Sequence, residues 1–222
     1  MERIEELGID NLKIIQDSSL FCFGTDSVCL SDFVVAKKGD NVVDLCSGNG
    51  IIPLLLSAKT SAKKIYGIEI LKKSYDLFKK SIDLNSLSEK IEAINDDIKN
   101  ASSYFKRESV SVVTCNPPYM SNAGFVNPND ELAIARHEIL TNLKEIVDVA
   151  SYLLKYGGSF YMVHRSERIC DILCFLREKS LEPKVIKFIA PNSEKAPKLV
   201  LVKAIKGAKE GVKIEPNLYV NI

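Results

Sequence analysis

The sequence has few of the residues that build metal sites and no segment long enough to cross a membrane. Its 222 residues include only two histidines, and none of its six cysteines forms a CxxC pair. We therefore expect no metal site, and cysteines that are reduced and mostly buried. No apolar run approaches the roughly 18 residues of a membrane-spanning helix.

The chain also lacks an excess of charge of either sign, because its net charge is only +1. This balance neither favours nor excludes a nucleic-acid partner. The distribution is more informative, since eight lysines but only four glutamates occur from Leu181 onward. Phosphate contacts need only such a local patch. The acidic N-terminus lacks the apolar stretch of a signal peptide, so we expect a cytoplasmic protein.

Short β-rich runs alternate with longer helical stretches along the chain. We predict seven strands: Asn41–Cys46, Lys64–Glu69, Ile91–Asn95, Ser109–Cys115, Gly158–His164, Lys184–Ile189 and Leu199–Ala204. We predict helices between them at Gly50–Lys59, Leu71–Leu84, Ile139–Lys155 and Arg165–Lys179. This alternation predicts an α/β fold, with a mostly parallel sheet and helices on both faces. The short link Ala190–Lys198 predicts that the sheet ends in an antiparallel hairpin.

The chain is long enough to bury a core as one domain, 1–222. At its N-terminus, Leu12–Gln16 and Leu20–Phe23 are expected to pair as a small hairpin, and a helix is expected at about Thr25–Ala36. The hairpin and helix form an extension over 1–38. Residues 206–222 are expected to be a C-terminal tail.

A glycine-containing turn, Asp44-Leu45-Cys46-Ser47-Gly48-Asn49-Gly50, closes the first of the seven strands and opens a helix. Glycines let the backbone approach a ligand and adopt positive φ, and the helix N-terminus offers free N–H groups. The spacing does not match the dinucleotide fingerprint GxGxxG. Taken alone, the segment fits a ligand-binding turn and an ordinary strand–helix turn equally well.

Acidic residues follow the next two strands. Glu69 lies 25 residues after Asp44 and can accept hydrogen bonds from both hydroxyls of a ribose. Asp97 could accept one from an adenine amino group. Either acid alone would more often cap a strand end or face solvent. Three acids at successive strand ends indicate a nucleoside cofactor, because open α/β sheets bind ligands at that edge.

The segment Asn116-Pro117-Pro118-Tyr119 follows the fourth strand on the same edge. The amino nitrogen of a purine or an amide is a poor nucleophile, because its lone pair is delocalised. The Asn116 side-chain oxygen and the Pro117 carbonyl can accept hydrogen bonds from the two N–H groups of such a nitrogen and stabilise the developing positive charge. The prolines hold these acceptors in place, and Tyr119 offers a stacking face. A proline-rich turn without function is the alternative.

These motifs resemble the class I S-adenosylmethionine-dependent methyltransferases, in particular the amino-methylating group that carries NPPY, from about Leu12 to Ala204. The resemblance implies a Rossmann-like fold with S-adenosylmethionine as cofactor and Asn116, Pro117, Pro118 and Tyr119 as catalytic residues. It implies cofactor contacts at Thr25, Asp26, Asp44, Cys46, Ser47, Gly48, Gly50, Glu69, Ile70, Asp97, Ile98 and Asn116. The chain departs from the motif at Cys46, where the group commonly has its first glycine.

Within this group the chain is most similar to bacterial tRNA adenine-N6 methyltransferases, on Phe21–Ser27 and on Ala135-Arg136-His137-Glu138. This implies methylation of an adenosine in the tRNA anticodon loop, where the base is accessible without leaving a duplex. Thr25 could instead cap a helix, Arg136 could form a salt bridge, and His137 is more typical of a structural role. The implied substrate contacts are Tyr119 and Arg136, and the candidate phosphate contacts are Lys184, Lys187, Lys195, Lys198 and Lys203.

Other functions remain compatible with the motifs. Protein-glutamine N5 methylation, as in release-factor methyltransferases, poses the same chemical problem, but those enzymes usually carry a sizeable helical domain before the glycine turn. Only about forty residues precede it in this sequence. Guanine-N2 methylation of ribosomal RNA is a further alternative. A non-catalytic RNA- or protein-binding module is the alternative from another class, and the intact Asp44, Glu69, Asp97 and Asn116 argue against it.

Overall fold

The structure is a computed structural model that describes residues 1–20, 22–117 and 142–220. Its strands are β1 (Glu2–Glu6), β2 (Lys13–Asp17), β3 (Asn41–Leu45), β4 (Lys64–Glu69), β5 (Ile91–Asn95), β6 (Val110–Cys115), β7 (Leu154–Arg165), β8 (Leu181–Ala190), β9 (Leu199–Lys206) and β10 (Lys213–Tyr219). Its α-helices are α1 (Thr25–Phe33), α2 (Ile51–Lys59), α3 (Lys72–Leu84), α4 (Leu143–Leu153) and α5 (Ile169–Glu178), and short 3₁₀ helices lie at Ile98–Ser103 and Ser166–Arg168.

The central sheet has the strand order β10-β8-β9-β7-β6-β3-β4-β5. Strands β3 to β7 are parallel, and β9 runs antiparallel between β7 and β8. The predicted α/β class and the terminal antiparallel hairpin are therefore confirmed. The sheet has eight strands rather than seven, because β10 pairs with β8 in the segment expected to be a tail.

Helices cover both faces of this sheet because the central strands are apolar on both sides. On β3, Val42 packs in a core cluster with α1, α2 and α3. Its neighbours Val43 and Leu45 pack in a second cluster with α4 and α5. The carboxyl ends of β3 to β6 are thus held at one edge between two helical layers.

The predicted N-terminal hairpin is wrong in its pairing. Strand β2 pairs with the upstream strand β1, with Glu2 opposite Asp17, and not with Leu20–Phe23. The described part of that segment, Leu20 and residues 22–23, lies in no strand. The connection between β1 and β2 contains Gly8, Asp10 and Asn11 at positive φ, a conformation that these residue types adopt readily.

Several predicted helix limits also change. Helix α4 begins after Asn142, whose side chain forms a capping box with Glu145, and it ends at Leu153 because β7 starts at once. Helix α1 begins after Gly24, so Thr25 is its first helical residue and not its cap. Among the described residues, no helix is long and apolar enough to span a membrane, and no three His, Cys, Asp or Glu side chains are grouped to hold a metal ion.

Candidate functional site

The parallel register brings the predicted site residues to one edge of the sheet. Leu45 of β3 pairs with Ile68 of β4 and with Cys115 of β6, so these strands end at the same level. Asp44, Glu69 and Asn116 consequently lie at neighbouring strand ends. Asp97 follows β5 beside β4. Four residues named from the sequence lie outside the described residues: Pro118, Tyr119, Arg136 and His137.

The glycine turn requires left-handed backbone at three positions, Cys46, Gly48 and Gly50, with φ of 57°, 57° and 84°. Cys46 adopts a conformation that costs a residue with a Cβ about 1–2 kcal/mol. At Gly50 an added Cβ would overlap the buried ring of Phe78 from α3. Around Gly48 no atom lies within 4 Å of the position of such a Cβ, which leaves room for a ligand.

Backbone hydrogen bonds fix the carboxylate of Glu69. Its Oε2 accepts a hydrogen bond from the Gly48 N–H and its Oε1 accepts one from the Leu71 N–H, both at 2.8 Å. Burial raises the pKa of Glu69, while these backbone hydrogen bonds oppose the shift. An ionised carboxylate has about four acceptor positions, so acceptor capacity remains for a further donor. The next residue, Ile70, is 38% exposed and can cover an apolar ligand surface, whereas Ile98 is buried.

Both carboxylate oxygens of Asp97 already interact with a neighbouring residue, which its sequence position did not indicate. Its Oδ1 caps the 3₁₀ helix Ile98–Ser103 by accepting from the Lys99 N–H at 2.9 Å. Its Oδ2 lies 3.2 Å from Lys99 Nζ, and this partner raises the pKa of the lysine. The preceding Asp96, which the sequence did not single out, accepts from Asn100 and from the Tyr104 hydroxyl and is therefore structural.

Asp44 carries an incompletely satisfied carboxylate inside the protein. Its Oδ1 accepts from the Thr114 hydroxyl at 2.6 Å, and its Oδ2 is buried without a hydrogen-bond partner among the described residues. Burial raises the pKa of Asp44 to about 7. The hydrogen bond from Thr114 and the nearby Ser47 hydroxyl, which donates to the Asp44 backbone carbonyl, oppose this shift, and the charge of Glu69 adds to it. The charged form is thus poorly stabilised in the protein alone.

This arrangement predicts a pH-dependent stability. Because the folded pKa of Asp44 is raised above its ordinary 3.8, the folded state holds more protons than the unfolded state between about pH 4 and pH 7. The contribution of Asp44 to the free energy of unfolding should therefore fall as the pH rises through that range, by at most about 1.4 kcal/mol for each pH unit. Asp44→Asn should remove this loss, so it should gain stability over wild type at pH 8 compared with pH 5.

Urea denaturation at the two pH values measures this effect. Asp83→Asn, which removes one exposed charge on α3, controls for the change in net charge. A difference between Asp44→Asn and wild type that is the same at pH 5 and pH 8 would show that the buried carboxyl does not titrate in this range.

Asn116 directs its amide group toward the start of α1. Its Nδ2 donates to Ser27 Oγ at 2.9 Å and to Asp26 Oδ2 at 3.1 Å. Its Oδ1 is buried and accepts no hydrogen bond from any residue in the described ranges. Pro117 is buried beside it. The site therefore contains an unsatisfied acceptor at the position where the sequence placed one.

Gln16, which the sequence did not single out, is buried next to the candidate site. It is buried on β2, and its Oε1 accepts from the Phe23 N–H at 3.1 Å and from Asn49 Nδ2 at 3.4 Å. It thereby links the N-terminal hairpin to the glycine turn and to the segment before α1. The sequence carries no clear signal for this role, because β2 reads Lys13-Ile14-Ile15-Gln16-Asp17 and a polar residue near its end is not unusual.

The lysines predicted to contact phosphates divide into two groups. Lys195 and Lys198 are exposed in the β8–β9 connection, at the edge where β7 also ends. That connection is fixed by the Ser166 N–H, which donates to the Lys198 carbonyl at 3.0 Å. The other three candidate lysines lie away from this edge. They are Lys184, bonded to the Lys209 carbonyl, Lys187, paired with Glu215, and Lys203, over the Tyr161 ring.

Comparison with known proteins finds similarity to methyltransferases. Residues 32–125 match the TRM5/TYW2 methyltransferase domain. The chain is 23% identical over 184 residues to the tRNA1(Val) (adenine(37)-N6)-methyltransferase of Porphyromonas gingivalis, which covers 80% of this chain and 72% of that protein. It is 26% identical over 151 residues to the Tolumonas auensis protein of the same description, with coverages of 68% and 62%.

Solved structures share the fold. A predicted O-methyltransferase, protein Atu636 from Agrobacterium tumefaciens, superposes with a TM-score of 0.69 at 20% identity, covering 87% of this chain and 86% of that chain. The Methanocaldococcus jannaschii tRNA m1G37 methyltransferase superposes with a TM-score of 0.64 at 19% identity, covering 94% and 57%. These superpositions confirm the Rossmann-like methyltransferase fold that the sequence predicted.

Proposed function

We propose that this chain is a class I S-adenosylmethionine-dependent methyltransferase that methylates the N6 amino group of an adenosine in the anticodon loop of a tRNA. The observation that carries the proposal is the buried, unsatisfied Oδ1 of Asn116 at the ligand-binding edge of the sheet. A buried polar atom without a partner is rare in folded proteins, and such an atom at a ligand-binding edge is suited to a ligand.

The glycine turn and the acids suit the proposed cofactor. The Gly48 region leaves space for a ligand next to the backbone, and Glu69 retains acceptor capacity for a ribose diol. Asp97 could still accept from an adenine amino group with a remaining lone pair. S-Adenosylmethionine would supply a positively charged sulfonium whose methyl group is already activated. The work left to the protein is alignment of the acceptor, which can provide a large part of a rate enhancement.

Asn116 and Pro117 suit an amine acceptor. Asn116 Oδ1 and the Pro117 carbonyl are hydrogen-bond acceptors on adjacent residues at the end of β6. Two acceptors against the two N–H bonds of an amino group favour a pyramidal nitrogen and stabilise its developing positive charge. No strong general base is required for this, and the described residues around Asn116 provide a carboxylate, Asp26, that is already hydrogen-bonded to its amide.

An RNA substrate is supported by the curated relatives, which are tRNA methyltransferases by name. Lys195 and Lys198, at the edge where the parallel strands end, could contact backbone phosphates. Such contacts generally position a nucleic acid without reading its sequence. A glutamine amide in a protein or a guanine amino group in ribosomal RNA presents the same chemistry to Asn116. The experiment must therefore separate these acceptors.

The test supplies labelled S-adenosylmethionine with four substrates: total tRNA, ribosomal RNA, a release factor, and a valine-tRNA transcript with adenosine at position 37. The same transcript with guanosine at position 37 is the matched control. We expect label in N6-methyladenosine from tRNA and from the first transcript only. Label confined to protein or to guanosine would overturn the proposed acceptor. The absence of labelling together with the absence of cofactor binding in calorimetry would contradict the proposed activity and favour a non-catalytic binding module.

A further inference from the structure

We propose that Asp26 is a positioning residue that fixes the orientation of the Asn116 amide, so that its oxygen and not its nitrogen faces the acceptor amine. This inference rests on the proposed function, because it assigns Asn116 to the reaction. The resemblance implied only a cofactor contact for Asp26. The geometry of the α1 N-terminus points to this additional role.

The hydrogen-bond network decides which end of the amide points outward. An asparagine amide has two donors on nitrogen and only acceptors on oxygen, and the two ends have nearly the same shape. Asn116 Nδ2 lies 3.1 Å from Asp26 Oδ2 and 2.9 Å from Ser27 Oγ. An ionised carboxylate can only accept, so a reversed amide would place two acceptor oxygens against each other. The hydroxyl of Ser27 can donate or accept, so it tolerates either orientation.

Asp26 is itself fixed by its surroundings. It is buried in the first turn of α1, where a helix N-terminus favours negative charge. Its Oδ1 accepts from the Ser27 N–H at 2.9 Å. An added Cβ at Gly24 would lie 2.8 Å from that oxygen, so glycine leaves room for the carboxylate. The carboxylate therefore presents Oδ2 to Asn116 from a defined position.

Two conservative substitutions in this network should affect the orientation of the Asn116 amide differently. In Asp26→Asn, the side-chain oxygen would keep the bond from the Ser27 N–H, and the new NH₂ group would face Asn116. The Asn116 amide would then reverse to offer its oxygen to that donor. Ser27→Ala removes one acceptor but leaves Asp26 in place, so the orientation of the amide should persist.

The test measures kcat and the cofactor dissociation constant for these variants. For Asp26→Asn we expect kcat to fall at least about tenfold, with cofactor affinity changed less than about threefold. Ser27→Ala should lower kcat by less than about fivefold. Ser31→Ala is the matched control, because Ser31 is a buried α1 serine that bonds to Val28 and Lys59 and not to Asn116. If Asp26→Asn does not fold, Gly24→Ala replaces it, since it displaces the same carboxylate.

A double-substitution cycle distinguishes positioning from a general structural role. If Asp26 acts through Asn116, Asp26→Asn combined with Asn116→Ala should be no slower than Asn116→Ala alone. Additive losses, or a loss confined to cofactor affinity, would overturn the inference.

A second readout does not depend on methyl transfer, so it separates failure of this inference from failure of the proposed function. The side-chain amide protons of Asn116, assigned by NMR from the signal lost in Asn116→Ala, should be protected from exchange in wild type. They should lose that protection in Asp26→Asn. Unchanged protection in Asp26→Asn would overturn the inference even if no acceptor were methylated.

Discussion

Replacing Asn116 with alanine is expected to lower kcat by roughly 10²–10³-fold while the cofactor dissociation constant stays within about twofold, because one preorganised partner for the transition-state charge is lost. The Oδ1 atom is buried and has no partner among the described residues, so the free protein loses no hydrogen bond to that atom. Single-turnover rates with the valine-tRNA transcript and calorimetry with S-adenosylmethionine measure the two quantities separately.

Asn95→Ala is the matched control for this substitution. Asn95 also ends a parallel strand at the same edge, but its Nδ2 donates to the carbonyls of Glu69 and Ile70 at 2.8 and 3.2 Å. Its loss should therefore weaken cofactor binding more than it slows the chemical step. If Asn116→Ala keeps nearly full kcat, or if both variants show the same weakened cofactor binding, Asn116 does not stabilise the acceptor.

The central sheet could be predicted because its signals are local. Strands β4 and β5 occur at the predicted bounds, and β3 and β6 differ by one residue at an end. Buried parallel strands are short apolar runs rich in β-branched residues, and helical segments with a different period separate them. From those strands alone, the common edge with Asp44, Glu69 and Asn116 followed.

The N-terminal pairing and the eighth strand could not be predicted from the same signals. Strand β1 consists mainly of exposed charged residues, so it carries no apolar pattern. Strand β10 is an edge strand interrupted by Pro216, with an irregular register between Glu215 and Leu218. Both strands are defined by the partner that they pair with, and that is a tertiary property.

The contacts around Asn116 were also beyond local reasoning. Its amide bonds to Asp26 and Ser27, which precede it by 90 and 89 residues. The sequence identified Asn116 and Asp26 separately, by motif and by resemblance, and gave no reason to connect them. It could not reveal that α1 packs its first turn against the end of β6.

The second large effect is expected at Gly50, where Gly50→Ala should lower the free energy of unfolding by about 3 kcal/mol, the sum of a backbone cost and a steric cost. Residue 50 lies at φ 84°, where a Cβ costs about 1–2 kcal/mol. The new Cβ would also overlap Phe78, which is fully buried between α3 and the sheet, and such overpacking costs about 1–3 kcal/mol. Urea denaturation measures the sum.

Two other glycines separate these contributions. Gly39 lies at φ 92° with no atom within 4 Å of an added Cβ, so Gly39→Ala reports the backbone cost alone. Gly67 does not have positive φ, but its added Cβ would meet the same Phe78 ring and would lie 2.7 Å from Ser47 Oγ, so Gly67→Ala reports mainly the steric cost. Gly50→Ala should lose more stability than Gly39→Ala.

Phe78 connects this stability effect to the proposed function. Because the ring fills the space behind Gly50 and Gly67, it fixes the glycine turn against β4, where Glu69 accepts from the Gly48 N–H. Combining Gly50→Ala with Phe78→Ala should remove the steric part, so the two losses should not add. Strictly additive losses would show that Phe78 does not set the position of the turn. In that case the cofactor affinity of Gly50→Ala should remain close to that of wild type.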